Sequence, residues 1–167
     1  MMHEPSRRKR PCVTLTVAMK TYIALLRGIN VGGHKQVSMA DLRELLTRLG
    51  FEGAQSLLQS GNLLFRSKPR SNAALELLLE NELKKRLAMQ TQFFVRTTEE
   101  WRAVIEQNPF RDEAERDPGH LHVVFLKSAP QPGAAKALQD AMWGARSFEP
   151  MGGRHTSSIL TAPADRS

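Results

Sequence analysis

The hydrophobic period of this sequence changes repeatedly between residues 20 and 97. Short apolar runs of strand-favouring residues alternate with longer stretches whose leucines recur at helical spacing. Ser38 and Gly50 stand where a helix N-cap and C-cap belong, and Gly61 suits the positive-φ position of a hairpin. The pattern predicts strand, helix, strand, strand, helix and strand at residues 21–29, 39–49, 55–59, 63–67, 72–87 and 91–97.

This order is that of the ferredoxin-like plait, or split βαβ unit, in which two helices cover one face of a four-stranded antiparallel sheet. After it the pattern begins again, with helices predicted at 99–107 and 134–143 and a strand at 120–127. The charged stretch 111–119 is expected to be an exposed loop. The sequence thus predicts an α+β fold, a ferredoxin-like (split βαβ) plait followed by a second, incomplete α+β subdomain.

Composition divides the chain into four segments. The first holds four basic residues against one acidic residue, which is nearly half of the formal net charge of +7. The body is therefore only mildly basic, and charge alone does not indicate a nucleic-acid-binding protein. We expect a disordered basic tail at 1–18, a ferredoxin-like subdomain at 19–97, the second subdomain at 98–154, and a non-native or disordered tail at 155–167.

Several classes of protein are excluded by residue content. The single cysteine, Cys12, excludes a disulfide framework and a cysteine-based zinc site. No apolar run approaches the roughly 18 residues that a membrane-spanning helix needs. His120 and His122 lie on one face of the predicted strand, but no third ligand accompanies them, so no metal site is predicted. We expect a cytoplasmic protein without a cofactor and without membrane partners.

Topology brings two polar loops together. In a split βαβ unit the first two strands are parallel with the third between them, so the loop after the first strand faces the hairpin after the second. Glycine amides and basic side chains at that edge suit an anionic group. The predicted ligand-binding residues are Arg27, Asn30, Gly32, Gly33, His34, Lys35, Gln59, Ser60 and Asn62.

The chemistry of this edge is left open by the sequence. Our leading interpretation is a site for a small anionic or nucleotide-like ligand. The alternatives are a nucleic-acid-binding plait that uses the basic edge, or a small transferase or hydrolase in which His34 or Lys35 assists. A purely structural role for the glycines, which let the chain turn, is a further alternative. The sequence does not identify the ligand, a reaction or the oligomeric state.

Six ordered motifs carry a resemblance to a known family. Taken together they resemble the domain of unknown function 1697 family, and they lie at residues 19–33, 39–43, 49–51, 59–62, 108–110 and 121–126. The resemblance implies a small bacterial-type cytosolic protein with ferredoxin-like α+β subdomains. It implies no established activity, cofactor or catalytic residue. By likeness, the positions most characteristic of the family are Arg27, Gly28, Asn30, Gly32, Gly33, Gln59, Ser60, Gly61 and Asn62.

The resemblance stops after Arg154. Family members continue with a strand resembling Ile-Tyr-Leu-His, whereas this chain continues His-Thr-Ser-Ser-Ile. Those five residues can be encoded CAT ACT TCC TCC ATA, and the frame displaced by two bases reads Tyr-Phe-Leu-His. We therefore expect a frameshift near residue 154, which would truncate the second subdomain and leave its sheet with an open edge.

Overall fold

The structure is a computed structural model, and it describes residues 18–30, 36–57 and 61–128, the separate residues 131, 133, 134, 137 and 140, and the backbone of residues 146–153 and 156–163. The predicted basic tail lies outside the described residues, apart from Ala18. The helix predicted at 134–143 also lies largely outside them.

The first unit has the predicted order of elements. Its elements are β1 (Lys20–Leu26), α1 (Met39–Arg48), β2 (Glu52–Leu57), β3 (Asn62–Ser67), α2 (Asn72–Leu87) and β4 (Phe93–Thr97). The strands form one sheet in the order β2-β3-β1-β4, and every neighbouring pair is antiparallel. The predicted α+β fold, with a four-stranded antiparallel sheet and the strand order of a split βαβ unit, is confirmed.

Side-chain caps fix where the helices begin. The Ser38 hydroxyl accepts hydrogen bonds from the amides of Ala40 and Asp41 at the start of α1. Ser71 caps α2 in the same way, through the amide of Ala74. These bonds satisfy amides that the first helical turn leaves without a carbonyl partner.

The main core lies between one face of the sheet and helices α1 and α2. Its fully buried side chains include Tyr22 and Ala24 of β1, Phe65 of β3 and Leu79 of α2. Leu25 points to the other face of β1, since successive side chains of a strand alternate. There it packs in a second, smaller cluster.

The second unit covers that other face. Its elements are α3 (Thr98–Glu106), α4 (Arg111–Arg116), a 3₁₀ turn (Pro118–His120), β5 (His122–Phe125), β6 (Arg146–Gly153) and β7 (Thr156–Pro163). Val104 of α3 and Phe125 of β5 are buried together against Leu25 and Phe94 of the first sheet. The described strands β5, β7 and β6 form an antiparallel sheet in that order.

Two predictions for the second unit are wrong, one about a loop and one about the start of a strand. The stretch 111–119, expected to be a loop, holds α4, whose first turn carries Asp112 and Glu113 where carboxylates favour a helix N-terminus. The strand begins at His122 rather than at residue 120, because Pro118 starts a 3₁₀ turn that includes His120. The two histidines therefore do not share a strand face.

A strand occupies the segment expected to be a non-native or disordered tail. Residues 156–163 form β7, which pairs with both β5 and β6. Thr156, Ile159 and Thr161 are β-branched residues that favour strands, and the register brings Gly153 opposite Thr156. The structure thus has a strand over residues 156–163. The expectation that 155–167 is a non-native or disordered tail stays a prediction, as does the frameshift, because strand pairing does not report the reading frame.

Candidate functional site

The hairpin after β2 and the loop after β1 are in contact. Both β1 and β2 run antiparallel to β3, so they are parallel to each other and end at the same edge of the sheet. Gly61, at φ +80°, lies so close to the loop that an added Cβ would stand 2.3 Å from Cδ1 of Ile29 and 3.2 Å from Cβ of Leu26. Ile29 is itself buried. The two segments therefore meet through an apolar contact at this edge of the sheet.

Three of the nine predicted site residues are described by the structure. Arg27 is exposed immediately after β1, Asn30 is half-buried in the following loop, and Asn62 is the half-buried first residue of β3. The other six lie outside the described residues, and they are Gly32, Gly33, His34, Lys35, Gln59 and Ser60.

Asn30 holds the ends of its loop together. It has a positive φ of 54°, a conformation that asparagine tolerates better than most residues. Its Nδ2 donates to the carbonyl of Val37 at 3.1 Å, and its Oδ1 accepts from the amide of Val37 at 2.9 Å. The Asn30 side chain thus satisfies both backbone hydrogen-bonding groups of Val37, as a neighbouring strand would.

Arg27 is fastened to the residues that precede β4. Its amide donates to the carbonyl of Gln92 at 3.0 Å, and the hydroxyl of Thr91 donates to the carbonyl of Arg27. Its Nη1 also donates to Oε1 of Gln92 at 2.9 Å. The guanidinium is therefore oriented by a neighbouring amide side chain, although it lies at the surface.

The residues that fasten Arg27 were not predicted from the sequence. Thr91 and Gln92 belong to no motif, and they lie 64 and 65 positions from Arg27 along the chain. A topological signal was present, since the start of β4 lies beside the end of β1 in an antiparallel pair. That argument could have added them to the edge.

Two depressions share Gln90 in their linings, and one of them lies beside Arg27. One, of about 480 Å³, is lined by Arg27, Gly28, Gln90, Thr91 and Gln92. The other, of about 670 Å³, is lined by Gln36, Lys84, Leu87, Ala88, Met89 and Gln90. Gln90 lines both, and the lining residues named here include two cations and no carboxylate.

This surface combines hydrogen-bond donors with apolar groups. A guanidinium, an ammonium, amide groups and a hydroxyl supply hydrogen-bond donors, while Leu87 and Met89 supply apolar surface. The described residues of the two linings include no pairing of a nucleophile with a general base. Among the residues that the structure describes, no three His, Cys, Asp or Glu side chains converge as metal ligands would.

Comparisons with known proteins place the chain in a family. No helix among the described residues is long and apolar enough to cross a membrane. No curated protein matches the sequence. A solved structure of a conserved bacterial protein from Streptococcus pneumoniae is similar, with 28% identity and a TM-score of 0.69, over 89% of this chain and 79% of that one. The sequence model of the family of proteins of unknown function DUF1697 matches residues 19–154, so the chain belongs to that family.

Proposed function

We propose that a small organic anion of nucleotide-like character binds at the edge formed by the loop after β1 and the hairpin after β2, on the side of the loop that lies next to the start of β4. The observation that carries this proposal is the placement of Arg27. Its guanidinium is oriented by a hydrogen bond to Gln92 and lies at the wall of a depression. The described residues that line this depression include no carboxylate. A fixed cation with no neutralising partner in that lining suits an anionic ligand.

The anionic group is assigned to the depression beside Arg27. The hydrogen bond to Gln92 engages one of the five N–H donors of the guanidinium, and the planar fork of arginine suits phosphate or carboxylate oxygens. Gly28 has a positive φ of 59° and open space around the position of a Cβ, so a ligand can approach its backbone. Lys35, which the sequence also predicts to contribute, adds a further positive charge to the same loop, and His34 adds an imidazole.

The remainder of the ligand is assigned to the second depression. Its wall combines the apolar side chains of Leu87 and Met89 with the cation of Lys84. Both volumes fall within the roughly 300–1,000 Å³ typical of small-molecule sites. Because Gln90 lines both depressions, a ligand with an anionic end and an apolar or aromatic end can span them.

A thermal-shift and calorimetry series tests the proposal. Adenosine 5′-monophosphate, ribose 5-phosphate and inorganic phosphate are compared, and the nucleotide is expected to stabilise the protein most, by RT ln(1 + [L]/Kd). Arg27→Ala should weaken nucleotide binding by about 1.5–3 kcal/mol, the usual contribution of a hydrogen bond to a charged group. Arg102→Ala, which removes the same charge from an exposed position on α3, is the matched control.

Two results would count against the site. One is unchanged nucleotide affinity in Arg27→Ala, and the other is an equal loss in both variants, since equal losses would report net charge alone. If a single-stranded oligonucleotide binds more tightly than any mononucleotide, with a steep salt dependence, the nucleic-acid alternative is favoured instead.

A further inference from the structure

The outer edge of β4 is closed by side chains at Phe93. In the described sheet β4 pairs only with β1, so its other edge presents backbone groups that need partners. The amide of Phe93 donates to Oε1 of Glu80 at 2.9 Å. The carbonyl of Phe93 accepts from the ammonium of Lys127.

The same arrangement is repeated two residues later. The amide of Val95 donates to Oε1 of Glu76 at 2.8 Å, and its carbonyl accepts from Nη1 of Arg96 at 2.6 Å. Arg96 and Glu76 also form an ion pair of 3.2 Å, and their side chains are only 6% and 9% exposed. Four successive edge groups of β4 are thus satisfied by charged side chains in place of a neighbouring strand.

Lys127 comes from the second unit and uses all of its donors in this cluster. Its Nζ lies 2.8 Å from Oε2 of Glu76 and 2.8 Å from Oε1 of Glu80, and it also donates to the carbonyl of Phe93. An ammonium group has three N–H donors, so each has an acceptor here. The Nζ also stands 5.2 Å from the centre of the Phe94 ring. The second unit therefore fixes the first residue of β4.

Phe93 directly follows the residue that orients Arg27. Gln92 holds Arg27 through both its carbonyl and its side chain, and Phe93 is held in turn by Glu80 at its amide and by Lys127 at its carbonyl. We infer that Lys127 is a positioning residue for Arg27, through which the second unit keeps the candidate site in its binding geometry. The effect on ligand affinity rests on the proposed function, whereas the coupling of Lys127 to Arg27 does not.

Lys127→Met tests the inference because it keeps the apolar stem and removes the ammonium. Hydrogen–deuterium exchange of the Arg27 backbone amide, which donates to the carbonyl of Gln92, should become about tenfold faster or more. The affinity for adenosine 5′-monophosphate should fall by about fivefold, which is the lower end of the range for coupled sites. Lys85→Met, a charge-matched change at an exposed position of α2, should alter neither quantity. Lys127→Arg, which keeps the charge, should restore part of both.

The exchange pattern separates positioning from general destabilisation. Quickened exchange confined to Arg27, Phe93 and Val95 supports the inference, whereas an equal rise at β3 amides such as Leu63 overturns it. If Lys127→Met does not fold, Glu80→Gln, which has nearly the same shape, is expected to quicken exchange at Phe93 and Arg27. No change in either variant refutes the coupling. Absence of nucleotide binding in the wild-type protein would refute the proposed function, and the exchange data would still decide the coupling.

Discussion

Gly61→Ala is the sharpest test of the contact between the hairpin and the loop after β1. Gly61 has a φ of +80°, a conformation that costs an L-residue roughly 1–2 kcal/mol. The new methyl group would also stand 2.3 Å from Cδ1 and 3.0 Å from Cγ1 of Ile29. Overpacking a buried contact costs roughly 1–3 kcal/mol. The variant should therefore lose about 2–5 kcal/mol of unfolding free energy.

Gly28, in the loop after β1 that Gly61 contacts, supplies the control. Gly28 has a similar positive φ of 59°, but nothing lies within 4 Å of a Cβ built there. Gly28→Ala should therefore lose only the backbone contribution, roughly 1–2 kcal/mol. The difference between the two variants measures the steric part of the contact between Gly61 and Ile29.

Urea unfolding followed by circular dichroism gives the free energies. In the double variant, Ile29→Val removes the methyl group nearest to the new Cβ, so it should restore about 1 kcal/mol or more relative to the sum of the single changes. Equal losses in Gly61→Ala and Gly28→Ala would refute the close approach. Additive losses in the double variant would show that Ile29 is not the residue that Gly61 contacts.

Three further predictions concern stability. Leu79→Ala should lose about 2–5 kcal/mol in urea unfolding, because Leu79 is 0% exposed, whereas Leu77→Ala on the same helix should stay within about 0.5 kcal/mol, because Leu77 is 61% exposed. Thr97→Ala should lose about 1 kcal/mol by the same measurement, since Thr97 caps α3 and forms a capping box with Glu100; Thr97→Ser should keep most of it. The pKa of Glu99 is lowered because its carboxylate accepts hydrogen bonds from its own amide and from Thr97. The stabilising effect of the ionised carboxylate should therefore be present above the unfolded pKa and be lost as the pH falls through the folded pKa. An NMR titration that finds an ordinary pKa for Glu99 would contradict this prediction.

The long leucine-rich helix was predictable to the residue. The predicted bounds 72–87 are those of α2, because Ser71 caps the start and the spacing of Leu75, Leu79 and Leu83 matches one buried face. The start of α1 after Ser38 was equally clear. A strong periodic stripe and a cap are both local signals, and the tertiary structure did not override them.

The second unit was harder to predict, in part because two of its elements are short. Six residues form α4 and four form β5, so neither spans enough turns or alternations to show a period. The segment 156–163 was rejected as structure because it departs from the family pattern, and the family match does end at Arg154. Its residue types nevertheless favour a strand, and that local preference is what the structure follows.

The candidate site was located by topology and completed only by the structure. The rule that parallel strands end at the same edge placed Arg27 and Asn62 together, and the contact of Gly61 with Ile29 agrees with it. The spacing of residues could not show that the Asn30 side chain forms two hydrogen bonds with the backbone of Val37. It also could not show that Gln92 orients Arg27, because a glutamine in a short connection has no pattern that identifies its partner.

The charged side chains that bind β4 could not be identified from the spacing of hydrophobic residues. Glu76 stands next to buried Leu75 on α2, and a helical stripe alone would assign it to the solvated flank. Yet β4 is an edge strand in the described sheet, and buried backbone groups must find partners. That requirement could have nominated Glu76 and Glu80, which lie one helical turn apart. The same requirement could not have identified Lys127, which lies 51 positions from Glu76 and contacts it only because the second unit packs against the first.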